Sequence, residues 1–163
     1  MYAFKHILVP TDHSQCARKA LGLAITFALR FDSDLYLLYV EDNRPDSKTW
    51  EKNETANQEI HQLESDEARC LETYLEVAAE VADYTGLPEM NRDKIHVRVG
   101  AGDPAAQILA AAEDASIDLI VMGTHGRSSI KDFFVGSTAE MVVRRSTCNV
   151  LAVKPDGYPY LRD

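Results

Sequence analysis

Residues 123–140 read GTHGRSSIKDFFVGSTAE, a polar stretch set between two apolar segments. Gly123, Gly126 and Gly136 punctuate it, and Gly136-Ser137-Thr138 opens a segment of helical character. The chemistry this pattern offers is anion binding. Glycines let backbone approach a ligand without a Cβ in the way. A helix start presents unpaired N–H groups and the positive end of the dipole. Ser137 and Thr138 add hydroxyl donors, and His125, Arg127 and Lys131 add positive or polarisable groups. No Gly-Lys-Ser/Thr occurs, so a phosphate would be held mainly by backbone and hydroxyls. The glycines alone fit a second reading equally well: turns leading into a helix capped by Ser137, with Glu140 at capping-box spacing.

A rival phosphate motif is GAGDPA at 100–105, which matches G-x-G-x-x-A. Its helix would begin with Asp103, a carboxylate aimed where a pyrophosphate should lie, and Pro104, which has no N–H to offer. A tight turn followed by an Asp N-cap is the better account. Asp12-His13 could be a pair of metal ligands, but neighbouring residues seldom point at one ion, so a solvated His13 is expected. His6 and His96 are expected to be structural. Cys16, Cys70 and Cys148 match no metal or redox spacing and read as free thiols of a reducing compartment.

The chain has 163 residues, 45% of them hydrophobic, enough for one domain with a real core. Its net charge of −9 and the absence of any run of Lys or Arg argue against the basic face that nucleic-acid binding requires. No apolar run approaches a membrane span, and the N-terminus lacks the apolar stretch of a signal peptide. A cytoplasmic protein is expected.

The elements that must position these residues follow from periodicity. Apolar, β-rich runs lie at 4–9, 35–40, 94–99, 117–122 and 149–154. Pro10-Thr11-Asp12 is expected to stop the first. Between them fall helical patterns: one N-capped by Ser14 and broken at 32–34, and one N-capped by Asp103 with Pro104 in its first turn. A long helix follows Thr55, whose capping-box partner would be Gln58. It carries Ile60, Leu63, Leu71, Tyr74, Leu75, Ala78 and Val81 on one stripe and ends at Gly86 and Pro88. Strands alternating with helices give a doubly wound α/β fold, a five-stranded parallel sheet with helices on both faces. Residues 1–163 form a single domain, with a polar segment at about 41–58 whose only large apolar residue is Trp50.

The spacing Gly123-x2-Gly126-x9-Gly136-Ser137 resembles that of the universal stress protein family in its nucleotide-binding branch. HILVPTDHS (6–14), VGAGDPAAQI (99–108) and DLIVMGTHGR (118–127) resemble further parts of that family, so the likeness covers nearly the whole chain. It implies a Rossmann-like fold and an ATP site. Pro10, Thr11 and Asp12 match the turn that contacts adenosine, and Val40 matches the position whose backbone reads the adenine edge. Met122 and Gly123 match the nucleoside–phosphate junction. Gly126, Arg127, Gly136, Ser137 and Thr138 fall where phosphates bind, with His125 beside them. Asn149 departs from the family's usual proline. The resemblance implies ATP, or AMP or ADP; because a chain of charge −9 repels such an anion, Mg²⁺ or Mn²⁺ is expected to be held through the phosphates rather than by the protein. It also implies a homodimer through the last strand, lying at a sheet edge. The expected function is nucleotide-dependent regulation of a stress response with an unidentified protein partner. A slow ATP hydrolase and a nucleotide-free interaction module are the alternatives. No base–nucleophile arrangement is visible, so no catalytic residue is assigned.

Overall fold

A computed structural model describes residues 3–42, 56–126 and 135–156, with backbone alone at 56–61. Strands β1 (His6–Thr11), β2 (Asp34–Glu41), β3 (Ile95–Ala101), β4 (Leu119–Gly123) and β5 (Asn149–Val153) form one sheet in the order β3-β2-β1-β4-β5. Every pairing is parallel. Helices α1 (Gln15–Phe31) and α2 (Ala56–Thr85) cover one face, where Ala20, Leu21, Ile25, Tyr74 and Val77 pack on Ile7, Val9, Leu35 and Leu37. Helices α3 (Pro104–Asp114) and α4 (Ser137–Arg145) cover the other, with Ile108, Ala112 and Val142 against Leu8, Leu38 and Ile120. Two apolar layers thus sandwich the sheet. Its central strands are apolar on both sides because helices cover both.

The caps expected of α1 and α3 are present. The Ser14 side chain accepts from Ala17 N at 3.2 Å and Asp103 from Ala106 N at 2.8 Å. Asp32 ends α1 in the left-handed region at φ 56°, and Gly86 follows α2 at φ 66°. In GAGDPA, Gly100 and Ala101 end β3, Gly102 turns the chain at φ 121°, and Asp103 caps the helix that follows.

Three expectations need correction. β1 does not stop at Pro10: Pro10 and Thr11 continue the strand, paired with Leu38 and Tyr39. The proline is tolerated because β1's ladder to β4 covers only Ile7 and Leu8, so Pro10 lies beyond it. In α4 the N-cap is Gly136, without a side-chain bond, and Ser137 is the first helical residue. Glu140 N–H bonds Gly136 O at 3.0 Å, so no Ser137–Glu140 capping box forms. In α2, Leu63, Leu71 and Leu75 are exposed, and the buried stripe is Cys70, Tyr74 and Val77. That face packs against α1, where a Cβ on Gly22 would lie in ordinary contact with Val77 Cγ1 at 3.6 Å and Val81 Cγ2 at 3.8 Å. The Thr55 cap, Trp50 and most of the 41–58 segment lie outside the described residues, as does the side chain of Ile60.

Candidate functional site

The order β3-β2-β1-β4-β5 reverses direction between β1 and β4, so the α1/α2 and α3/α4 connections leave on opposite faces. A crevice opens at such a switch point beyond the carboxyl ends of the strands. Here a cleft of about 500 Å³ occupies that place. Pro10, Thr11 and Asp12 line it from β1, Leu38 to Asp42 from β2, and Met122 to Gly126 from β4 and the residues after it. Pro104 and Ile108 of α3 and Gly136 to Ala139 at the start of α4 close it. The tertiary fold therefore brings together every sequence-predicted site residue except Arg127, which lies outside the described residues, as does Lys131. Its size falls within the ~300–1,000 Å³ of small-molecule sites.

The turn after β1 is held by its own side chains. Thr11 Oγ1 accepts from His13 N at 3.1 Å and Asp12 Oδ1 from Ser14 N at 3.0 Å. Such local bonds stabilise a tight turn, and they help hold His13 at φ 61°. His13 is not solvated as expected. It is half-buried, tilted on Tyr39 with ring centroids 5.2 Å apart, and its Nδ1 lies 3.5 Å from Thr73 Oγ1 on α2. His6 and His96 flank Tyr36 across three strands, with centroids 6.0 and 4.6 Å away, which is the structural role expected of them.

The opposite wall is built on β4. Thr124 N–H and Oγ1 bond Val153 O at the end of β5, at 2.9 and 3.2 Å. Thr124 O accepts from Gly136 N at 2.7 Å, and this bond fixes where α4 begins. The first intrahelical bond of α4 uses Glu140 N, so helix geometry leaves the amides of Ser137, Thr138 and Ala139 without an intrahelical acceptor. All three residues line the cleft.

The glycines have a role that their spacing alone did not reveal. A Cβ on Gly123 would meet Cys16 Sγ at 2.9 Å, and one on Gly126 would meet Asp12 Oδ2 at 2.8 Å. One on Gly136 would lie 3.2 Å from Thr124 O. Each glycine lets one segment of the cleft wall close on another. Sequence reasoning missed Ala17, Leu38, Tyr39, Pro104, Ile108, Thr124 and Ala139. Their signal was positional, since they sit at the ends of β2 and β4 and the starts of α1, α3 and α4.

Electrostatically the described lining holds three carboxylates, Asp12, Glu41 and Asp42, and one imidazole, His125. Leu38, Ile108 and Met122 are nearly fully buried and supply an apolar wall suited to a flat aromatic group. Among the described residues no group of three or more metal-ligating side chains comes together. None of their helices is long and apolar enough to cross a membrane. Cys16, Cys70 and Cys148 are free thiols. Burial, with Asp66 nearby, pushes the Cys70 thiol up to about 11.

Comparison with known proteins agrees with this architecture. A model of the universal stress protein family matches residues 3–154. The universal stress protein MJ0531 of Methanocaldococcus jannaschii is 34% identical over 156 residues, covering 93% of this chain and 82% of the relative. Among solved structures, the universal stress protein UspA from Lactobacillus plantarum has a TM-score of 0.69 and 28% identity, covering 94% of this chain and 99% of that one. A universal stress protein solved in complex with cAMP shares the fold, with a TM-score of 0.58 and 22% identity over 93% of this chain and 98% of that one. The chain belongs to the universal stress protein family.

Proposed function

We propose that the chain is an ATP-binding universal stress protein of the cytoplasm, a regulator whose state depends on the bound nucleotide. The observation that carries this reading is the open N-terminus of α4. Ser137, Thr138 and Ala139, whose amides lack intrahelical acceptors, line a cleft that also holds the apolar Leu38, Ile108 and Met122. Phosphates sit at the α4 end, where amides and the helix dipole favour an anion. The base sits against Leu38 and Ile108 with its edge at the backbone of Val40, and Asp12 lies at the ribose. The decisive experiment denatures freshly purified protein and analyses the supernatant by mass spectrometry. Adenine nucleotide supports the reading, and a clean supernatant that stays clean after incubation with ATP sinks it. ADP, AMP and cAMP are the competitors to titrate.

Ser137→Ala separates binding from folding. Because Ser137 caps nothing, its loss is expected to move the melting temperature of the nucleotide-free protein little. A hydrogen bond to a charged group contributes roughly 1.5–3 kcal/mol, so ATP affinity should fall by about one to two decades. Unchanged affinity by calorimetry would take Ser137 out of the site.

Divalent cations are expected to be required. With three carboxylates and an overall charge of −9, the cleft repels a tetra-anion unless Mg²⁺ or Mn²⁺ on the phosphates offsets the charge. ATP affinity that is indifferent to chelation of all divalent ions would refute this.

A homodimer through β5 completes the reading. β5 lies at the sheet edge, pairs with β4 on one side, and presents Val150 and Leu151 only half-buried. Its backbone can pair with a second copy about a two-fold axis, which removes an exposed edge. Sedimentation at micromolar concentration should give twice the chain mass, and a monomer overturns the assignment.

A further inference from the structure

We infer that His13 is a positioning residue for Asp12: its ring holds the turn after β1 in a left-handed conformation, and that conformation sets the Asp12 carboxylate in the cleft. This rests on reading the cleft as a nucleotide site with Asp12 at the ribose. His13 has φ 61°, a region that a residue with a Cβ enters only at a cost. Such a conformation persists where its surroundings over-determine it. Two bonds within the turn contribute. Thr11 Oγ1 accepts from His13 N at 3.1 Å, and Asp12 Oδ1 accepts from Ser14 N at 3.0 Å, closing a ring around His13. The imidazole adds an anchor outside the turn. It packs on Tyr39 of β2, with centroids 5.2 Å apart, and its Nδ1 lies 3.5 Å from Thr73 Oγ1 of α2.

The link from His13 to Asp12 is geometric. The Asp12–Ser14 bond spans His13, so turning His13 to negative φ carries the Ser14 amide away from the carboxylate and frees both. Asp12 lines the cleft, and its Oδ2 lies where a Cβ on Gly126 would meet it at 2.8 Å. One carboxylate oxygen is thus committed to Ser14 and the other is packed under Gly126. A glycine at position 13 would adopt this turn without strain. Histidine adopts it through contacts with β2 and α2, which ties the placement of Asp12 to both elements.

The test measures ATP affinity by calorimetry and, in the nucleotide-free protein, amide hydrogen exchange at Ser14. His13→Ala loses the ring and keeps the Cβ. It should speed exchange at Ser14 and weaken ATP about three- to tenfold. His13→Gly loses the same ring but populates either sign of φ about equally, so it should cost no more than about twofold. His13→Phe keeps a flat ring on Tyr39 and should return both readings to near wild type. In an Asp12→Ala background, His13→Ala should add nothing, because its effect passes through that carboxylate. A loss in His13→Gly as large as in His13→Ala would reduce His13 to packing and overturn the inference. So would unchanged affinity in His13→Ala, no recovery in His13→Phe, or additive losses with Asp12→Ala. A loss well beyond twofold in His13→Gly overturns it even if His13→Ala fails to fold. If wild type binds no nucleotide, the nucleotide reading falls and exchange at Ser14 decides alone. Fastest exchange in His13→Ala and slowest in His13→Phe upholds the hold on Asp12, and equal rates overturn it.

Discussion

Gly136→Val is expected to abolish ATP binding. Gly136 has an unremarkable φ of −59°, so the constraint on it is space rather than backbone conformation. A Cβ there sits 3.2 Å from Thr124 O, the same oxygen that its own amide bonds at 2.7 Å. Adding Cβ pushes the start of α4 away from Thr124, and the two further methyl groups of valine reach into the cleft that Gly136 lines. Misplacing two amide contacts to phosphate, at roughly 1.5–3 kcal/mol each, costs about two to four decades in affinity. The measurement is melting temperature with and without saturating ATP and Mg²⁺. Wild type should gain stability by mass action, and the variant should gain none. Equal gains in both proteins would place the phosphates elsewhere and return the glycines to a purely structural role.

Gly123→Ala should instead strike the fold. Its new methyl group would lie 2.9 Å from Cys16 Sγ, 3.1 Å from the Cys16 backbone carbon and 3.2 Å from Cys16 Cβ. A flexible side chain could swing aside, but here the first turn of α1 is in the way. Overpacking of this kind costs about 1–3 kcal/mol. In a chain of this size that lowers the melting temperature by about 2–12 °C. Because the clash is shared, Cys16→Ala should relieve part of it, and the double variant should lose less than the sum of the singles. An unchanged melting temperature for Gly123→Ala, or strict additivity in the double variant, would show that the contact between β4 and α1 is looser than described.

The three glycines Gly123, Gly126 and Gly136 show how far the site could be read in advance. Their spacing identified the loop, because a pattern of glycines and hydroxyls before a helix is local information. Their separate tasks were invisible, because the atoms each one makes room for lie far along the chain: Cys16 for Gly123, Asp12 for Gly126 and Thr124 for Gly136. Thr124 was marked only by its position after β4, and its partner, Val153, is 29 residues away and brought near only by the β4–β5 pairing.

The sequence by itself determined what depends on near neighbours. The alternation of five apolar strands with helices, the Ser14 and Asp103 caps and the turn in GAGDPA all follow from residues within a few positions of one another. Only the tertiary structure decided which stripe of α2 is buried, because Tyr74 and Leu75 are one residue apart and the choice depends on how α2 packs against α1 and the sheet. The extension of β1 through Pro10 was likewise settled by where its ladder to β4 ends, and His13 was drawn out of solvent by Tyr39 and Thr73. The cleft belongs to the same category. Local pattern specifies each of its walls, but the space between them exists because the strand order turns back between β1 and β4, and strand order is a property of the whole chain.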